Sequence, residues 1–171
     1  NGSTAITVNG SSAESKGLEL SSQWQVTDSF RLAASYSYND AQLTSFAPGL
    51  VDGYDAFDGD RLSGTPEHQG NLALIYDREL NDRWNLEADY SMTAVSDVYT
   101  KVGLRNNGEV LGGFALHNAA VGLSNDRWLI RLYADNLFDK YAVTSVRTDR
   151  SFIRPVGDFD LRRYFQGMVR P

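Results

Sequence analysis

"SNDRWLIRLYADNLFDKY", Ser124 to Tyr141, repeats a phrase the chain has already used at "NDRWNLEADY", Asn81 to Tyr90, and more loosely at "TDSFRLAASYSY", Thr27 to Tyr38. In each copy a polar tetrapeptide leads into a stretch where apolar and polar side chains alternate. From Phe30 the even positions are Phe30, Leu32, Ala34, Tyr36 and Tyr38, and the odd ones Arg31, Ala33, Ser35, Ser37 and Asn39. After Trp84, Leu86, Ala88, Tyr90 and Met92 oppose Asn85, Glu87, Asp89, Ser91 and Thr93; Trp128, Ile130, Leu132 and Ala134 oppose Arg131, Tyr133 and Asp135. A period of two marks strands with one apolar and one polar face. The same split separates Leu18, Leu20, Trp24 and Val26 from Glu19, Ser21, Gln23 and Gln25, and Leu72, Leu74 and Tyr76 from Asn71, Ala73 and Asp77. Ile75 and Leu129 fall on the wrong face, and the pattern is weakest near Ala119, Val121 and Leu123.

The repeated tetrapeptides then read as tight hairpin turns, in which Asn and Asp supply local backbone hydrogen bonds. The opposite hairpin ends are long segments rich in Gly, Asp and Asn: Thr44 to Ser63, Ala94 to Gly113 and Ala142 to Arg163. Short turns at one end and long loops at the other are the build of outer-membrane barrels. Trp24, Trp84, Trp128 and Phe30 sit near the short turns, and Tyr36, Tyr38, Tyr76 and Tyr90 are expected toward the long-loop end, as two aromatic girdles flanking an aliphatic band. Phe30 to Tyr38, tilted near 40°, spans on the order of 20 Å, close to the apolar band of such barrels. The expected fold is all-β: an antiparallel up-and-down meander forming part of a transmembrane β-barrel, with residues 1–171 as a single unit. Alternating strands also build soluble β-sandwiches and lipocalin-like barrels, whose apolar face points inward, so a soluble binding module is the alternative. Glu19, Arg31, Glu87, Asp89 and Arg131 on the second face favour a wet lumen.

Composition narrows the classes. A net charge of -6 argues against a nucleic-acid partner, which needs clustered Lys and Arg. The absence of cysteine excludes disulfides, thiolate metal sites and a cysteine nucleophile. No apolar run approaches the roughly 20 residues of a membrane-spanning helix.

"SKGLEL" at Ser15–Leu20, "GDRLSGTPEHQGNLALIY" at Gly59–Tyr76 and "ADNLFDKY" at Ala134–Tyr141 resemble the C-terminal barrel portion of TonB-dependent outer-membrane receptors. The residues that carry the resemblance are Gly17 and Glu19, Gly59, Pro66 and His68, and above all Asn136, Leu137, Phe138, Asp139 and Tyr141. The resemblance implies a Gram-negative outer membrane and active import of a scarce nutrient such as a ferric siderophore, energised by the TonB system through an N-terminal plug domain. It implies as partners outer-membrane lipid, the remainder of the barrel and plug, the TonB complex and a small-molecule ligand. The plug is absent from these residues, and about six recognisable strands fall short of the roughly 22 in such transporters, so this stretch alone is not expected to transport. An open sheet in lipid leaves unpaired backbone groups costing several kcal/mol each, so insertion is expected only within a longer chain or by pairing with copies. Pro171 is read as preceding a final strand; the other reading makes "RRYFQGMV" a shortened final strand itself.

Enzyme chemistry finds no foothold. There is no Gly-x-Ser-x-Gly elbow, His-Glu-x-x-His, P-loop or dinucleotide glycine signature, and no cofactor is implied. His68 and His117 are expected as girdle or loop residues rather than metal ligands, and Glu87 and Asp89 as lumen-lining acids rather than a glycosidase pair. The acidic stretch "DGYDAFDGD", Asp52 to Asp60, lacks the spacing of an EF-hand and is expected as a solvated loop. Tyr54 and Phe57 within it are candidate ligand contacts, since binding residues concentrate on loops held by a rigid scaffold. Arg147, Arg150 and Arg154, with Arg162 and Arg163 nearby, form a basic group diluted by Asp149, Asp158 and Asp160, expected as a charge-balanced surface loop, with contact to an anionic siderophore or lipid phosphates as the alternative.

Overall fold

The structure, a computed structural model, describes residues 11–150 and 161–169, with side chains from 11 to 144. Its strands are β1 (Ala13–Thr27), β2 (Phe30–Leu43), β3 (Ala47–Val51), β4 (Tyr54–Ala56), β5 (His68–Asn81), β6 (Trp84–Val95), β7 (Val98–Tyr99), β8 (Val110–Leu111), β9 (Phe114–Ser124), β10 (Leu129–Ala134), β11 (Ala142–Arg150) and β12 (Leu161–Val169). Six of them make one antiparallel sheet in the order β1-β2-β5-β6-β9-β10. Each long strand lies beside the next long strand in the chain, which is an up-and-down meander. The pairs β3/β4, β7/β8 and β11/β12 form three small separate ladders.

The repeated phrase is a turn. Asn81 Oδ1 accepts hydrogen bonds from the backbone N–H of Arg83 (3.0 Å) and Trp84 (3.1 Å), and Asn125 Oδ1 accepts from Arg127 (2.9 Å) and Trp128 (2.8 Å). Each asparagine thus closes an Asx turn and sets its tryptophan at the strand's mouth, Trp84 as the first residue of β6 and Trp128 immediately before Leu129 of β10. The looser copy has Thr27 where the others have asparagine. There the Gln25 side chain donates to the Thr27 carbonyl (2.7 Å), and the register slips between Gln25 and Thr27.

Register then aligns the faces across the sheet. Trp24, Leu32, Leu74, Tyr90, Ala119 and Ala134 form one row, and Phe30, Tyr76, Ala88, Val121 and Leu132 the next. On the other face Ser21, Ser35, Asn71 and Thr93 are in register, as are Gln23, Ala33, Ala73 and Ser91. The sheet's hollows lie on that polar face: these two rows wall one of them, over the intervening row Ser22, Ala34, Leu72 and Met92. The polar face is therefore the concave one. The apolar face is convex and largely bare among the described residues: Trp24, Trp128 and Leu132 are 62%, 66% and 70% exposed. Each such side chain left in water forgoes roughly 1.5–3 kcal/mol. A soluble sandwich would have covered them.

The packed apolar cluster sits elsewhere, at the long-loop end, where Leu43, Ala47, Val51 and Ala56 are buried together and Leu50, Leu62 and Val102 pack against them. Ile75 and Leu129 do lie on the polar face, as the alternation indicates, opposite Asp89 and Ser124.

Two expectations are corrected. Tyr76 is not at the long-loop end: the β2/β5 register sets it opposite Phe30, beside a short turn. And the segment Ala142 to Arg163 is not a long loop, because most of it forms the hairpin β11/β12, with Arg147 opposite Tyr164 and Asp149 opposite Arg162. Val143 and Val146 have opposite parity, as do Tyr164 and Phe165, so neither strand shows a one-sided apolar pattern. "RRYFQGMV" is accordingly strand; Pro171 lies outside the described residues.

Candidate functional site

The long-loop end carries the molecule's concentrated chemistry. Two segments meet there: the first, between β2 and β5, holds the acidic stretch; the second, between β6 and β9, holds Lys101 and Arg105. Arg105 grips Asp60 with two hydrogen bonds, Nε to Oδ2 at 3.0 Å and Nη2 to Oδ1 at 2.9 Å. Asp60 Oδ2 also accepts the Phe57 N–H at 2.8 Å. The Arg105 guanidinium beside Asp60, and secondarily the Phe57 N–H, hold that carboxyl below the usual carboxylate range, against an opposing effect of partial burial. The guanidinium in turn lies 4.9 Å from the Phe57 ring centroid, and Phe57 leans on Phe46 with centroids 5.4 Å apart. Both phenylalanines remain about half exposed, as does Tyr54.

Further pairs reinforce the junction. Lys101 Nζ donates to Asp52 Oδ2 (2.8 Å) and to the Asn106 carbonyl (3.1 Å). Arg61 reaches Asp97 Oδ2 (3.1 Å) and the carbonyls of Asp97 (2.7 Å) and Thr65 (3.0 Å), with its guanidinium 4.7 Å from the Tyr99 ring centroid. Gly103, at φ +55°, donates its N–H to the Arg61 carbonyl (2.9 Å), and a Cβ there would collide with the Asp60 carboxyl. Only glycine combines that backbone with that approach. Sequence reading singled out Tyr54 and Phe57 but missed Arg105, Lys101 and Gly103. The available signal was charge: two cations in one loop, four aspartates in the other. Among the described residues no group of three His, Cys, Asp or Glu is placed to hold a metal ion.

Of the basic group, Arg147 and Arg150 lie on β11 and Arg162 and Arg163 on β12, while Arg154 lies outside the described residues. The histidines are not brought together: His68 shares a hydrogen bond with Tyr36 (2.8 Å) and His117 one with Tyr90 (2.6 Å), both on the apolar face, with β6 between them. Asp89 pairs with Arg131 on the concave face.

The motif residues have structural duties. Glu19 lies on the polar face opposite Ser37, and Gly17 lies opposite Asn39, where a Cβ would collide with the Tyr38 carbonyl. Gly59 donates to the Leu43 carbonyl (2.9 Å), and Pro66 lines a small apolar hollow with Val98, Leu111 and Phe114. Asn136 is only 5% exposed. Its side chain closes the turn after β10, Oδ1 accepting from Lys140 N (2.9 Å) and Nδ2 donating to Lys140 O (3.1 Å). Its own N–H donates to Asn118 Oδ1 (2.9 Å), and the Leu137 N–H to the His117 carbonyl (2.7 Å). Asp139 N donates back to the Asn136 carbonyl (2.8 Å), and Phe138 packs edge-on against His117 at 4.8 Å. Tyr141 leaves the turn into β11, largely exposed.

This sheet, with its polar hollow, bare apolar outside and loop-side site, matches one family description. The family model "TonB dependent receptor-like, beta-barrel" matches residues 1–137. The chain belongs to the TonB-dependent receptor-like β-barrel family. A comparison with curated proteins finds no match. Membership makes the meander a partial barrel and associates the chain with outer-membrane receptors and transporters. The TonB-dependent barrel fold also accounts for the absence, among the described residues, of any helix long and apolar enough to cross a membrane, since it crosses with strands.

Proposed function

We propose that the chain is wall and external loops of an energised importer in the outer membrane of a Gram-negative bacterium, taking up a scarce nutrient such as a ferric siderophore by means of the TonB system. The observation that carries this reading is the division of the sheet into a bare apolar convex face and a polar hollow. Lipid is the medium that removes the first from water, and a wet lumen is what the second fits. The sheet of described strands ends at β1 and β10, so the wall is completed by further strands of the receptor, and the plug and its TonB-contacting segment complete the transporter. Tyr54 and Phe57 stand on the loop side as contacts for the arriving ligand; contacts for its anionic groups are assigned to Arg147 and Arg150 of β11 and to Arg154, which lies outside the described residues.

The test is uptake of radiolabelled ferric siderophores by cells producing the full-length receptor, with and without a working energy-transducing complex. Accumulation that needs both receptor and complex is the expected result. Equal accumulation without the complex would remove energised import, and no accumulation of any of a panel of hydroxamate and catecholate siderophores would remove the substrate class.

A further inference from the structure

The acidic stretch reads from sequence as a solvated loop, yet its carboxylates are answered by the second loop: Arg105 takes Asp60 and Lys101 takes Asp52. The Arg105 contact is the specific one. A guanidinium in a two-bond fork fixes direction as well as distance, which a lone ammonium does not. Asp60 then passes that constraint on, because the oxygen that meets Arg105 Nε also accepts the Phe57 N–H. Arg105 itself lies over the Phe57 ring, whose neighbour is Phe46. Beneath this joint, Val102 of the second loop packs against the cluster of Leu43, Ala47, Val51 and Ala56 from the first. Gly103, where a Cβ would collide with the Asp60 carboxyl, lets the second loop seat closely on the first.

We propose that Arg105 is a positioning residue: through Asp60 it ties the two loops into one body, and it holds the Phe46–Phe57 aromatic face in its solvent-facing position before any ligand arrives. A contact surface ordered in advance spares the ordering cost at binding. That Phe57 meets a ligand rests on the proposed importer role; the tie between the loops does not, and the two fail separately.

The experiment places spin labels on the full-length receptor in lipid bilayers at Asp58→Cys and Val110→Cys, both exposed and one in each loop, with any other cysteines replaced. Double electron–electron resonance reads the distance between them. The tie predicts a narrow distribution, several-fold broader in Arg105→Gln and intermediate in Arg105→Lys, with heat-modifiable gel mobility of the barrel unchanged. A distribution as narrow in Arg105→Gln as in the parent overturns the proposal, and so does a broad one in the parent. Should Arg105→Gln fail to assemble, Asp60→Asn in the same labelled protein puts the same question with the same two outcomes. An uptake assay that finds no transport, alongside a narrow parent distribution, would sink the importer role and leave the tie standing.

Discussion

Asn125 holds Trp128 immediately ahead of strand β10: the asparagine side-chain oxygen accepts the tryptophan N–H at 2.8 Å, and the Asn125 N–H donates to the Trp128 carbonyl at 2.8 Å. Asn81 makes the same side-chain contact with Trp84. The repeated phrase therefore records a repeated job, which is to reverse the chain and deliver a tryptophan at the short-turn end.

Replacing either asparagine with alanine strips two backbone N–H groups of their acceptor in an exposed turn. The expected cost is about 1 kcal/mol for each site, in line with lost side-chain caps elsewhere. Equilibrium urea unfolding of the full-length receptor in bilayers checks this. Asn81→Asp and Asn125→Asp, which keep the acceptor oxygen, should lose less than half as much.

Asn136 is the more costly asparagine. It is buried, takes φ +50°, and closes its turn with both side-chain atoms. Asn136→Ala leaves Lys140 N unpaired and puts a Cβ residue without a local partner into left-handed backbone, for about 2–4 kcal/mol by the same unfolding measurement. Phe138→Ala, on an exposed ring against His117, should cost clearly less.

Gly17→Ala tests the close approach in the first hairpin. A Cβ at that position collides with the Tyr38 carbonyl, which is backbone and cannot swing away. The expected outcome is a local break of the β1/β2 ladder around Gly17–Asn39. It would be read as faster amide exchange at Tyr38 and Asn39 and a stability loss of about 1–3 kcal/mol.

What the sequence disclosed follows from the range of the interactions involved. The wall was legible because strand alternation is local, and every residue from Phe30 to Tyr38 reports its face through its own parity. The Asn-Asp-Arg-Trp turns were legible for the same reason. Tyr76 was misplaced because its height depends on which residue of β2 it meets, a matter of register that no local pattern states. Strands β11 and β12 were missed because their apolar residues take both parities. The loop junction was missed because Asp60 and Arg105 are 45 residues apart, and only the folded loops bring them within hydrogen-bond distance. Tyr54 and Phe57 stand out in the sequence as aromatics among aspartates and are exposed in the fold, but the residue that holds Phe57 was not legible.

Acid should open the loop junction late. Arg105 holds the Asp60 carboxyl below its ordinary range, so the pair's contribution is complete above the unfolded carboxylate value, about 4, and disappears as pH falls through the lower folded value. The distance distribution between labels at Asp58→Cys and Val110→Cys should therefore stay constant from neutrality to mild acid and broaden only at stronger acidity. The Arg105→Gln variant should be broad throughout. Broadening of the parent already between about pH 5 and 7 would point to a different group, since carboxylates titrate below that window.

The central claim is that hydrocarbon touches the convex face and water the concave one. Single spin labels at Leu20, Leu32, Leu74 and Ile130, and at Ser35, Asn71, Ser91 and Gly122, in the full-length receptor in bilayers, read this directly through relaxation by oxygen and by a water-soluble nickel chelate. The first four should respond to oxygen and be shielded from nickel; the second four, once the plug is removed, should show the reverse. Nickel accessibility at Leu32 and Leu74 equal to that at Ser35 and Asn71 would contradict the claim.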